Sequence, residues 1–186
     1  MKKNIVIIVI CVVIAVIVLV GFLGGNNGGS NNNTEINKQS ESVSLIDITT
    51  TQGISLKIPK EMTLLENGAY ANMETGDAVS FGVTEVGGIP LSDWKEADVL
   101  ATYQSKYKDV VVKSFENGKK IDGKEALVSK VAVTTPDSHP VILVLIMITD
   151  GSKNYVINFV HGASDTDGVL VKNLQQCIDS IKIKSV

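Results

Sequence analysis

Two histidines, His139 and His161, are the side chains best placed to change charge near neutral pH. His161 opens the run His161-Gly162-Ala163-Ser164-Asp165-Thr166-Asp167, which sets one imidazole and two carboxylates at a strand-to-helix corner. Imidazole and carboxylate together suit a divalent cation, so His161, Asp165 and Asp167 are the candidate metal ligands. The stronger reading of the same run is structural. Asp165 or Thr166 caps the following helix, and Asp167 adds negative charge to its first turn. Ser164–Gly168 is similar to a fragment of a calcium loop, but the remaining ligands are missing. His139 lies in Pro136-Asp137-Ser138-His139-Pro140, which reads as a turn. Serines and aspartates are plentiful, yet no GxSxG or comparable context presents a nucleophile. No catalytic residue is assigned, and a surface hydrolase is the least favoured function.

The rest of the inventory narrows the chemistry further. All 17 basic residues are Lys and none is Arg, and the net charge is −3. A strongly basic nucleic-acid binder is excluded, and no nucleic-acid partner is expected. Cys11 sits in an apolar run and Cys177 near the C-terminus, so no intrachain disulfide is expected, and no CxxC or zinc pattern exists. Gly87-Gly88 lacks the spacing of a phosphate loop and reads as a flexible connector. No cofactor is expected. Trp94, Tyr70, Tyr103, Tyr107 and Tyr155 would suit a binding face, but aromatics are only 5% of the chain, so they are read first as core.

Residues 5–23 are apolar and uncharged. As a helix they would extend roughly 28 Å, near the hydrocarbon thickness of a bilayer. Lys2 and Lys3 precede the run and no basic residue follows until Lys38. The expected topology is a single membrane span over 1–23, N-terminus in the cytoplasm and the remainder outside. The run exceeds the usual core of a cleavable signal and lacks a small-x-small exit, so it is read as an uncleaved anchor. Residues 24–44 are Gly, Asn and Ser with almost nothing apolar, a disordered linker of about 25 Å root-mean-square span. Asn32-Asn33-Thr34 is the one glycosylation sequon.

Residues 45–186 must position the histidines. Leu45–Thr50 and Ile54–Pro59 read as paired strands around Gly53, and Ala69–Glu74 with Ala78–Val86 as a second pair. A helix is expected from an N-cap at Ser92 to about Tyr107, with Trp94, Ala97, Ala101 and Tyr103 or Gln104 near one face and Val99 and Leu100 close by. Val110–Phe115 reads as a strand, with Asn117-Gly118 as a hairpin turn. Ala126–Thr135, Val141–Thr149 and Asn154–Val160 follow. Val141–Thr149 is apolar on both sides and must be a central strand covered on both faces. Leu170, Leu174, Cys177, Ile178 and Ile181 form one stripe of a helix over Asp165–Ser180, and Ile181–Ile183 leaves it. Short turns between strands imply an antiparallel sheet. The fold class is α+β, an αβα sandwich with a central antiparallel sheet flanked by helices.

ISLKIPKEM, the helix after LSDW, IDGKEALVSKV, the hairpin around TDGSKNYVINF and the closing QQCIDSIKI occur in an order that resembles the PsbP-like family over about 140 residues. The resemblance implies an αβα sandwich and a non-catalytic accessory or partner-binding role. The anchor and Gly/Asn linker depart from the photosynthetic members, and no partner-binding residue is carried over. The expected function is a membrane-tethered, extracytoplasmic, non-enzymatic domain that binds a protein partner. The alternative is a small-ligand or divalent-metal-binding module.

Overall fold

The computed structural model describes residues 44–86 and 90–184. The expected anchor, linker, sequon and Gly87-Gly88 connector lie outside the described residues. No helix among the described residues is long and apolar enough to cross a membrane.

The strands are β1 (Leu45–Thr49), β2 (Ile54–Pro59), β3 (Thr63–Leu64), β4 (Tyr70–Ala71), β5 (Ala78–Glu85), β6 (Lys108–Ile121), β7 (Lys124–Thr134), β8 (Pro140–Thr149), β9 (Lys153–Gly162) and β10 (Lys182–Ile183). Helix α1 spans Glu96–Gln104 and α2 spans Val169–Asp179. The strands form two antiparallel sheets rather than one. A seven-stranded sheet has the order β3-β4-β5-β9-β8-β7-β6, and a three-stranded sheet has the order β1-β2-β10.

Alternation along the central strands builds two cores, one on each face of the large sheet. Val144, Ile146 and Ile148 of β8 join Tyr155, Ile157 and Phe159 of β9 on one face, beneath α2 and the small sheet. Leu143, Leu145 and Met147 point the other way and meet Val99 and Tyr103 of α1. Val141–Thr149 is therefore the doubly covered strand that its composition requires, with residues 143–148 all buried. Leu170, Cys177, Ile178 and Ile181 fill the first core as the expected stripe, with Leu174 packed against it. Burial pushes the Cys177 thiol up to about 11, so little nucleophilic thiolate exists at neutral pH. In a Cys11→Ser chain, an aromatic disulfide reagent should therefore label Cys177 only at the rate of unfolding. Prompt labelling of the folded protein would contradict this packing.

Three local expectations are corrected. The helix over Ser92–Tyr107 is shorter. A 3-10 turn occupies Leu91–Asp93, and α1 begins after Lys95, whose N–H donates to Asp98 Oδ2 at 2.9 Å. Its buried face is Val99 and Tyr103, while Ala97 and Ala101 are exposed. With Trp94 outside the helix, the face is set by Val99 and Tyr103, four residues apart and so on one side. Asn117-Gly118 is not a hairpin turn but an irregularity inside β6, with Gly118 at φ +79°. The turn is instead at Asp122-Gly123, with φ of +52° and +72°. Finally, α2 starts at Val169 with Gly168 as N-cap, so Asp167 lies outside its first turn.

Two carboxylates tie these elements together. Asp122 accepts the Ile183 N–H at 2.9 Å and Lys182 Nζ at 3.2 Å, fixing β10 to the β6–β7 turn. Asp150 Oδ1 accepts the N–H groups of Lys153 and Ser152 at 2.8 and 2.9 Å and the Ser152 hydroxyl at 2.9 Å. Its Oδ2 accepts the Tyr155 hydroxyl at 2.9 Å. The Lys153 N–H contributes most to holding the Asp150 carboxyl well below the usual carboxylate range. A carboxyl depressed on folding stabilises above its unfolded value and loses that contribution as pH falls through the folded one. Asp150→Asn should thus lower the melting temperature at pH 7 and lose less on acidification to pH 3 than the parent. Equal acid sensitivity would show that the turn does not depend on the charge.

Candidate functional site

His161 is the penultimate residue of β9 and is buried, 6% exposed. Its Nδ1 lies 2.9 Å from the Gly162 carbonyl oxygen. A carbonyl only accepts, so Nδ1 carries the proton and Nε2 presents a lone pair. That Nε2 is buried with no hydrogen-bond partner. Asp77, 2% exposed, precedes β5 and also keeps one buried atom, Oδ1, without a partner. The β5–β9 register runs from Glu85↔Lys153 to Ala78↔Val160. Asp77 is the residue just before that pairing begins, and His161 the one just after Val160, with His161 in the electrostatic neighbourhood of Asp77.

Electrostatics records the same neighbourhood. Burial raises the Asp77 carboxyl above its usual value, the hydrogen bond from Thr75 opposes this, and Asp165 and His161 act in opposite directions. Asp165 is held by the loop before α2, where its Oδ1 accepts the N–H groups of Asp167 at 3.2 Å and Gly168 at 2.7 Å. A Cβ at Gly168 would fall on that carboxylate, so glycine is the residue that lets the loop close. Gly168→Ala should expel Asp165 from the loop and lower the melting temperature. An unchanged melting curve would mean the loop reorganises freely.

Of the three candidate metal ligands, the structure brings His161 and Asp165 to one end of the sheet and leaves Asp167 apart. The Asp167 side chain is 88% exposed and pairs with Lys172 at 3.2 Å. No three His, Cys, Asp or Glu side chains are grouped to hold a metal ion among the described residues. Asp77 is the buried carboxylate nearest this end of the sheet in sequence register, one residue before β5. Its neighbours Thr75 and Gly76 mark it as part of a turn, and only the β5–β9 register reveals that it lies near His161.

His139 lies at the same end, in the β7–β8 turn. The turn reaches the site because Pro140 O accepts the Ala163 N–H at 3.0 Å. Its Nδ1 is 2.8 Å from Asp137 Oδ2, and both side chains are largely exposed. The Thr135 hydroxyl, first among several donors, keeps the Asp137 carboxyl below the usual range. Neither imidazole is hydrogen-bonded to a serine hydroxyl among the described residues. Trp94, Tyr103, Tyr107 and Tyr155 are buried in the two cores, and Tyr70 is half-buried. The Tyr103 hydroxyl reaches Asn158 Oδ1 at 3.2 Å across the α1 face.

No family model matches this sequence. No curated protein matches it either. Solved structures do. The solution structure of cyanobacterial PsbP (CyanoP) from Synechocystis sp. PCC 6803 superposes with a TM-score of 0.58 at 14% identity, over 84% of this chain and 98% of that one. A Mog1 variant gives a TM-score of 0.53 at 11% identity, over 75% and 96%. LpqN of Mycobacterium tuberculosis, described as involved in cell envelope biogenesis, gives 0.51 at 11% identity, over 79% and 94%. The described domain has the PsbP-like fold, as the order of its motifs implies.

Proposed function

We propose that this chain is a non-catalytic accessory or binding domain, tethered to the outer face of a cytoplasmic membrane and engaging a protein partner. The observation that carries the reading is the pairing of an uncharged apolar run at residues 5–23 with a PsbP-like domain. The Gly/Asn/Ser segment between them suits a tether that lets the domain turn toward a neighbour. A fold neighbour linked to the cell envelope is in keeping with that placement. The polar side chains also support a binding role. Asp122, Asp150 and Asn117 serve turns and strand ends, and neither histidine is coupled to a nucleophile.

The test uses the full chain in cells whose cytoplasmic membrane is intact. A non-permeant protease should remove the domain while a cytosolic marker survives. Crosslinking before mild-detergent extraction should recover one partner in near-stoichiometric yield. A protease-resistant domain overturns the placement, and repeated recovery of the chain alone overturns the binding role.

A further inference from the structure

We propose that the outer edge of β6 is a docking site for a second copy of this chain, the two β6 strands pairing antiparallel about a two-fold axis between Ser114 and Phe115. β6 ends the seven-stranded sheet and runs for 14 residues, against 2 for β3 at the opposite edge. Among the described residues its only strand neighbour is β7. An edge strand keeps a row of backbone N–H and C=O groups unpaired, and such a row accepts another strand unless something refuses it.

β6 carries the devices of refusal. Its pairing with β7 shifts register between Lys108 and Val111, between Val112 and Ser114, and between Asn117 and Lys119. Lys108, Asp109, Lys113, Glu116, Lys119 and Lys120 are all exposed along it. Bulges and charges turn away a strand taken at random. They admit one whose charges answer them, and β6 answers itself. About the axis between Ser114 and Phe115, Lys113 lies opposite Glu116 of the second copy and Asp109 opposite Lys120, and the symmetry repeats each pair. Lys108 then meets Ile121 and Lys119 meets Val110, so no like charges are opposed. Sliding the strands by two residues either way breaks both pairs and sets Lys108 against Lys119 or Asp109 against Asp122.

The charges are available. Asp109, Lys113 and Lys120 make no ion pair among the described residues, although Glu125 is the β7 register partner of Lys120. Glu116 holds Lys119 at 2.7 Å, an exposed pair that a second lysine can share. An apolar contact fits the same register. Val111 is 47% exposed and falls opposite Gly118, where a Cβ would meet nothing within 4 Å. Opposed residues of an antiparallel pair share a face. Each Val111 therefore covers the bare backbone at Gly118 of the other copy.

The test uses the purified full chain in detergent micelles, with Cys11→Ser so that the buried Cys177 is the one native thiol. Lys113→Cys and Glu116→Cys proteins are mixed and mildly oxidised, and Trp94 emission checks that each is folded. A disulfide needs Cα atoms within about 7 Å. Position 113 of one copy should therefore join position 116 of the other about tenfold more often than either joins itself. Asp109→Lys in both proteins sets Lys against Lys at each end and should lower that yield about tenfold. Adding Lys120→Asp should restore it. Dimers in the statistical ratio overturn the proposal, and so does a charge reversal that fails to recover the yield. No other protein is present, so failure here is distinct from failure to capture a heterologous partner.

Discussion

Phe159→Ala lowers the unfolding free energy by about 3–5 kcal/mol, the range for removing a fully buried aromatic side chain. Phe159 is 0% exposed and sits mid-sheet on β9, opposite Val79 of β5 and Val144 of β8. Its ring belongs to the core beneath α2, with Leu170 and Cys177 among the cluster. Interior packing is dense, so the neighbours cannot collapse far into the space vacated. The melting temperature should fall by on the order of 10 °C. Thermal unfolding followed by circular dichroism checks the result, and a drop below about 1 kcal/mol would mean that the sheet and α2 are not packed as described.

Asn117→Asp is the second large effect, about 2–3 kcal/mol, by a different route. The Asn117 amide nitrogen lies 2.9 Å from Leu91 O, 3.2 Å from Ser92 O and 3.0 Å from Trp94 O. Two N–H bonds thus serve three carbonyls and hold the 3-10 turn against β6. A carboxylate there presents charge to carbonyl oxygens and donates nothing. The 3-10 turn should detach, and buried Trp94 should become exposed. Trp94 is the only tryptophan, so a red shift of its emission reports the event directly. Unchanged emission and unchanged melting would show that the turn is held by packing alone. Asn117→Gln separates loss of the donor from loss of reach, and should fall between the parent and Asn117→Asp.

The same residue shows where the sequence is legible and where it is not. Asn-Gly is a strong local signal for a hairpin, and locally it is right that the chain needs a positive φ at Gly118. The demand comes instead from a bulge, because Asn117 is recruited by residues some 25 positions earlier. Long-range hydrogen bonds of this kind leave no periodic trace. Val141–Thr149 is the opposite case, since nine residues without a charge need cover on both faces in any fold. The stripe of α2 is equally readable, because its positions all enter one core. Helix α1 is not, as only Val99 and Tyr103 are fully committed to the core and the alanines around them face solvent. At the candidate site His161 and Asp165 announce themselves by residue type and spacing. Asp77 is hidden in a turn more than 80 positions away and becomes visible only through strand register.

The small sheet imposes an order on biogenesis. β10 pairs Lys182 with Ser55 and Ile183 with Ile54, so β2 receives its second neighbour from the far end of the described domain. Asp122 then closes over the Ile183 amide. During synthesis the first hairpin emerges early with one flank unsatisfied, and everything from β3 to α2 must be made before that flank is filled. The domain is in this sense fastened last, by residues made after its other described strands and helices. A chain stopped at Ile181 would keep nearly all its apolar interior and still leave its opening strands free to pair with the wrong molecule.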